Sequence, residues 1–133
     1  MPRRGNGAGD GGEGHPPRVM VIEDEPLIAM GLKMVLENMG CDVPAVVDTE
    51  DDAVDSAERL DLDLILADVR LRDGNDGISA VQRILRRHQV PVVFVTGNAG
   101  EVRSRGMGHI RILPKPFMPA ALERTVRAIL DLS

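Results

Sequence analysis

Two rhythms of apolar residues alternate along most of this chain. The first is a short run with few polar interruptions, such as Arg18-Val19-Met20-Val21-Ile22 or Leu62-Asp63-Leu64-Ile65-Leu66-Ala67. A run of that kind suits a strand covered on both faces, where no side of the pleat meets water. The second is helical: Leu27, Ile28, Met30, Leu32, Val35, Leu36 and Met39 recur at steps of one to three after Pro26, and Gly40 is placed to stop them. Cys41 to Val47 reads as a second strand. Thr49 and Asp52 then have capping-box spacing for a second helix, carried by Val54, Ala57 and Leu60. The third strand ends at Asp68. A polar loop from Val69 to Asp76 follows, punctuated by Gly74 and Gly77, and a third helix presents Ile78, Val81, Ile84 and Leu85.

Pro91 to Val95 reads as a fourth strand, ending at Thr96-Gly97. Residues 98–108 make a weak helix, interrupted by Gly100, Gly106 and Gly108. His109 to Leu113 is a fifth strand, broken by Pro114-Lys115-Pro116, and Pro119 opens a last helix with Leu122, Val126, Ile129 and Leu130 on one face. Strands alternating with helices imply an α/β fold, a doubly wound parallel sheet of five strands. No internal repeat is visible.

The totals narrow the field. A length of 133 residues suits one domain, expected over residues 18–133, after a disordered glycine-rich tail over residues 1–17. No apolar run nears the roughly 18 residues of a membrane span, and no secretory pattern opens the chain, so a cytoplasmic protein is expected. Cys41 is alone, which excludes a disulfide framework and reads as a small buried hydrophobe. A net charge of −5 argues against nucleic acid as the main partner. His15, His88 and His109 fall far apart, on the tail, the third helix and the fifth strand, and receive no ligand role.

The chemistry gathers at strand ends. Glu23 and Asp24 follow the first strand, Asp68 the third, Thr96 the fourth and Lys115 the fifth. In a doubly wound sheet of order 2-1-3-4-5 those ends line one crevice. Clustered carboxylates are hard oxygen ligands that suit Mg²⁺, and a hydroxyl with an ammonium is what a phosphoryl group needs. Each residue alone has an ordinary explanation: acidic helix starts, a strand-ending cap, a loop lysine. Four strand ends carrying this set together point to phosphoryl transfer onto Asp68.

At these residues the chain resembles the receiver domain of two-component response regulators, over essentially all of residues 18–133. The resemblance rests on Val21-Ile22-Glu23-Asp24-Glu25-Pro26, Leu66-Ala67-Asp68-Val69, Val95-Thr96-Gly97 and Leu113-Pro114-Lys115-Pro116-Phe117. It implies a flavodoxin-like fold of order 2-1-3-4-5 with Asp68 as phosphoacceptor. Asp24 would bind Mg²⁺ directly, Glu23 through water, and the Arg70 carbonyl would complete the metal shell. Thr96 and Lys115 would hold phosphoryl oxygens, and the Lys115–Pro116 peptide would be cis. The implied partner is a histidine kinase or a histidine phosphotransfer protein. The implied role is that of a single-domain regulator, monomeric, signalling by contact or draining a kinase, and not an enzyme beyond its own phosphorylation and dephosphorylation.

The departures from the common receiver are specific. Ile112 occupies the place of the usual aromatic switch, and Phe94 and Phe117 are the only aromatic residues. The loop after Asp68 lacks the usual proline and is one residue longer. Phe94-Val95-Thr96-Gly97 resembles the Phe-Ala-Thr-Gly subgroup nicknamed "FAT GUY", many of which are associated with alphaproteobacterial stress or light signalling and kinases of the HWE type. Without an aromatic switch, the expected response to phosphorylation is ordering of the weak helix at 98–108 when Thr96 engages the phosphoryl group. An interaction-only pseudo-receiver remains an alternative. So does a Toprim-like metal-dependent nucleic-acid enzyme, although that needs Asp-x-Asp where this chain has Asp68-Val69-Arg70.

Overall fold

A computed structural model describes residues 14–132. The expected disordered tail falls mostly on residues 1–13, outside the described residues. Five strands, β1 (Arg18–Ile22), β2 (Asp42–Val47), β3 (Leu64–Ala67), β4 (Val92–Thr96) and β5 (Arg111–Pro114), pair in parallel in the order β2-β1-β3-β4-β5. Between and after them run α1 (Pro26–Asn38), α2 (Glu50–Arg59), α3 (Gly77–Leu85), α4 (Ala99–Ser104) and α5 (Pro119–Leu130). This is the doubly wound, flavodoxin-like fold read from the sequence.

The period of two in a strand explains why the runs had to be solid. From β1, Met20 and Ile22 enter one core with Ile65 and Ala67 of β3 and Val92 and Phe94 of β4, under α2, α3 and α4. Val19, Val21, Leu64, Leu66, Val93 and Val95 point the other way, onto Leu32 and Leu36 of α1 and Leu122 and Val126 of α5. β2 is an edge strand whose residues alternate between half-buried and exposed. Gly40 ends the α1 turn with a φ of +92°.

Several boundaries differ from the sequence reading by one to three residues. β2 begins at Asp42 rather than Cys41, and β4 runs from Val92 through Thr96. β5 begins at Arg111, because the backbone turns at Met107, whose carbonyl accepts from Ile110 N at 3.0 Å. His109 is therefore an exposed turn residue and not part of a strand. His88 lies past the end of α3, with Nε2 3.1 Å from Glu58 Oε2. Asp63 precedes β3 because it does something else: its Oδ2 accepts from Arg18 N at 2.9 Å, and its own N–H donates to Arg18 O at 2.8 Å. That reciprocal pair fixes the register at which β1 and β3 start. Cys41 is buried, as expected of a small hydrophobe. No described helix is long and apolar enough to cross a membrane.

Phe94 is fully buried in the core beneath α3 and α4 and is paired across the sheet with Ile112. Phe94→Ala removes most of that volume and should cost about 3–5 kcal/mol. Urea denaturation of the pure domain measures it; a loss below about 1 kcal/mol would show that the sheet collapses onto the gap.

Candidate functional site

The parallel ladder continues one residue past the strands, and that continuation sets the site. Asp68 N donates to Ile22 O (2.9 Å), Glu23 N to Val47 O (2.9 Å) and Lys115 N to Thr96 O (3.1 Å). Glu23, Asp68 and Lys115 are thus held by backbone bonds at one edge, with their side chains in the same crevice. Lys115 Nζ lies 2.9 Å from Glu23 Oε1 and 2.9 Å from Asp68 Oδ2. The second oxygens are also occupied: Glu23 Oε2 accepts from Glu25 N (3.1 Å) and Asp68 Oδ1 from Val69 N (2.7 Å). The Lys115–Pro116 peptide bond is cis.

Glu23, Asp24 and Asp68 can bring one carboxylate oxygen each within 4.8 Å of one another. Three carboxylates so close repel unless cations share the crevice. Lys115 supplies one positive charge. The donor set, hard oxygens with Asp24 partly exposed, fits a divalent cation of the Mg²⁺ type. Glu23, Asp24 and Asp68 are the residues that would hold it, with Lys115 and one backbone amide already on each of Glu23 and Asp68. Burial pushes the Glu23 carboxyl above its usual range, more than the Lys115 hydrogen bond lowers it. Burial also works against the Lys115 ammonium, but its hydrogen bonds to Glu23 and Asp68 prevail and hold its pKa above the usual value.

Thr96 is fully buried, and its Oγ1 accepts from Asn98 N at 3.0 Å, at the start of the turn into α4. The structure therefore gathers Glu23, Asp24, Asp68 and Lys115 in direct contact or near it, and stations Thr96 on the adjoining strand end. Arg70 is exposed; its side chain points to Glu101 and its backbone forms an isolated antiparallel bridge with Asp76. Ile112 is half-buried against the core beside Phe94, a stiff β-branched side chain where an aromatic would swing.

The loop after Asp68 contains residues that the sequence reading passed over. Gly77 looked like loop punctuation. In the structure it opens α3, and a Cβ built on it would fall on the Asp68 carbonyl. Asp76 caps α3, with Oδ1 accepting from Ile78 N (2.7 Å) and Ser79 N (3.1 Å). Burial acts to raise the Asp76 carboxyl, but hydrogen bonds from Arg105 and the Ser79 amide outweigh it and hold its pKa below the usual range. Glu50 clasps the loop from α2: its N–H donates to Asn75 Oδ1 (2.8 Å) and its carboxylate accepts from Asp76 N (3.1 Å). An Asp-Gly pair ahead of an apolar helix was the available signal for the cap. Nothing local announced Glu50.

Residues 19–127 match the profile of the response regulator receiver domain. The phyllosphere-induced regulator PhyR of Methylorubrum extorquens is 38% identical over 114 residues, which is 81% of this chain and 41% of PhyR. Other curated relatives are also matched over only about half their length. The receiver domain of PhyR from Erythrobacter litoralis superposes with a TM-score of 0.81 at 31% identity, over 90% of this chain and 93% of that one. The receiver domain of the sensor histidine kinase PA1611 from Pseudomonas aeruginosa, solved with magnesium in its active-site cleft, gives 0.76 at 30% identity, over 87% and 98%.

Two outcomes follow from this geometry. Gly77→Ala forces the α3 start away from the Asp68 carbonyl and should destabilise the domain by about 1–3 kcal/mol, against the gain of up to ~1 kcal/mol that alanine gives an unconstrained helix; urea titration decides the sign. For pH, Glu23 is protonated in both states well below its ordinary value of 4.5. As pH rises past 4.5 the unfolded chain releases that proton first, so the contribution of Glu23 to stability falls through its raised folded pKa. Lys115 contributes fully below 10.5 and loses that contribution as pH rises through its raised folded pKa. Stability against pH, measured without metal, should lose its decline just above 4.5 in Glu23→Gln and its decline above 10.5 in Lys115→Met.

Proposed function

Because this chain belongs to the response regulator receiver domain family, we propose that it accepts a phosphoryl group on Asp68 from a histidine kinase or a histidine phosphotransfer protein. The observation that carries this reading is the Lys115 ammonium set 2.9 Å from both Glu23 and Asp68, with Asp24 beside them. A carboxylate oxygen of Asp68 attacks phosphorus in line. The phosphorus–nitrogen bond to the donor imidazole breaks, and the imidazole leaves with the electron pair. Held by Glu23, Asp24 and Asp68, a Mg²⁺ ion would supply charge neutralisation for the phosphoryl transfer. Lys115 already sits on Asp68 Oδ2 and can follow the new negative charge onto a phosphoryl oxygen. Thr96 donates its hydroxyl from the next strand end once Oγ1 turns from the Asn98 amide.

Signal then passes by surface contact, or the domain drains its kinase of phosphoryl groups. The Phe94-Val95-Thr96-Gly97 stretch and the identity with PhyR favour the Phe-Ala-Thr-Gly subgroup, many of whose members are associated with kinases of the HWE type. The complete acidic set with Lys115 speaks against an interaction-only pseudo-receiver. The Toprim-like alternative has no support left, since residues 19–127 match the receiver profile.

Incubation with a small phosphodonor and Mg²⁺, read by intact mass spectrometry, should add one phosphoryl group to the wild-type chain. Asp68→Asn and metal chelation should each abolish the addition. Full labelling of Asp68→Asn would place the acceptor elsewhere.

A further inference from the structure

One cluster of charges that the acceptor chemistry leaves unused lies where α4 meets the loop after Asp68. α4 is six residues long and buries one apolar side chain, Val102. What it offers the loop instead is charge. Arg105, its C-cap residue, places Nη1 2.5 Å from Asp76 Oδ2 and Nη2 3.1 Å from Ser79 Oγ. One turn earlier, Glu101 lies between two guanidinium groups, with Oε1 3.3 Å from Arg70 Nη2 and Oε2 3.5 Å from Arg105 Nη1. Asp76 can serve both neighbours because its Oδ1 caps α3 and its Oδ2 takes Arg105.

Arg70 and Asp76 are not independent surface residues. Their backbones form the bridge that closes the loop, so α4 grips both sides of it. We propose that Arg105 and Glu101 are positioning residues: from α4 they hold the Arg70–Asp76 bridge in the shape that Mg²⁺ and a phosphoryl group at Asp68 require, linking occupancy of that site to the docking of α4. This rests on Asp68 as the acceptor. A single exposed ion pair would carry little weight. Here the Arg105 and Asp76 side chains are only 31% and 26% exposed, and four charges share one bridge. With so little apolar surface under α4, these contacts are a large share of what docks it. Linkage is reciprocal, so loss of the grip weakens metal binding, and metal binding tightens α4.

The test uses the full chain, with Mg²⁺ affinity read by calorimetry and hydrogen exchange read over residues 99–104. Arg105→Met keeps the packing stem and drops the charge; Asp76→Asn keeps a good helix cap and drops the charge. Each should weaken Mg²⁺ binding about 5-fold. The double variant should be no weaker than either single one, and Arg105→Lys should recover part of the loss. In the wild type, Mg²⁺ should raise protection over residues 99–104; in Arg105→Met it should not. Unchanged protection of α5 reports an intact fold, and Glu101→Gln repeats the test should either variant lose it. Wild-type Mg²⁺ affinity in Arg105→Met and Asp76→Asn, or multiplicative losses in the double variant, would overturn the positioning role alone. Absence of Mg²⁺ binding by the wild type would instead overturn the acceptor reading, and the linkage with it.

Discussion

The ammonium of Lys115 between two buried carboxylates is the interaction on which the site depends. Glu23 and Asp68 are both among the buried residues, and Asp24 adds a third carboxylate at the rim. Unit charges about 4 Å apart interact by roughly 4 kcal/mol at an effective dielectric of about 20. An arrangement of this kind is tolerable only because one cation is built in and a second can enter. The same imbalance makes the crevice attractive to positive charge, and in the proposed function the phosphoryl group would follow that charge.

Such an arrangement cannot be made on flexible loops. The ladder bonds Asp68 N to Ile22 O and Lys115 N to Thr96 O extend the sheet's order to the crevice residues themselves. Below them, Ile22, Ala67, Phe94 and Ile112 stand in register across four strands, each pair a direct neighbour. The crevice therefore rests on a packed core. On the far side of Asp68, Gly77 lets α3 begin against the Asp68 carbonyl, and Glu50 clasps the loop end. One half of the site stands on the sheet edge, and the other, from Thr96 through α4, is held to the loop after Asp68 by side-chain contacts.

That division also decides what could be read from the residues alone. Asp68, Glu23, Thr96 and Lys115 were legible because each ends an apolar run, and the end of a buried parallel strand is a defined place in space. Gly77 and Asp76 were partly legible, as a cap ahead of an apolar helix, but the carbonyl pressing on Gly77 comes from a residue nine positions earlier. Glu50 and Arg105 were not legible. Their partners lie 26 and 29 residues away, and one arginine among many carries no local mark of the contact it makes. The strand boundaries at Asp63 and His109 were misjudged for related reasons: Asp63 bonds Arg18 across the sheet, and the Met107 turn displaces His109 from β5.

Fluorine NMR of the domain with beryllofluoride tests the central claim most directly, because the fluoride complex mimics a phosphoryl group without needing a donor. With Mg²⁺ present, saturable bound resonances at one site per chain are expected, and these should be lost in Lys115→Met and when Mg²⁺ is withheld. Bound resonances of equal intensity in Lys115→Met, or in wild type without Mg²⁺, would mean that the Lys115-bridged carboxylates are not what makes Asp68 an acceptor.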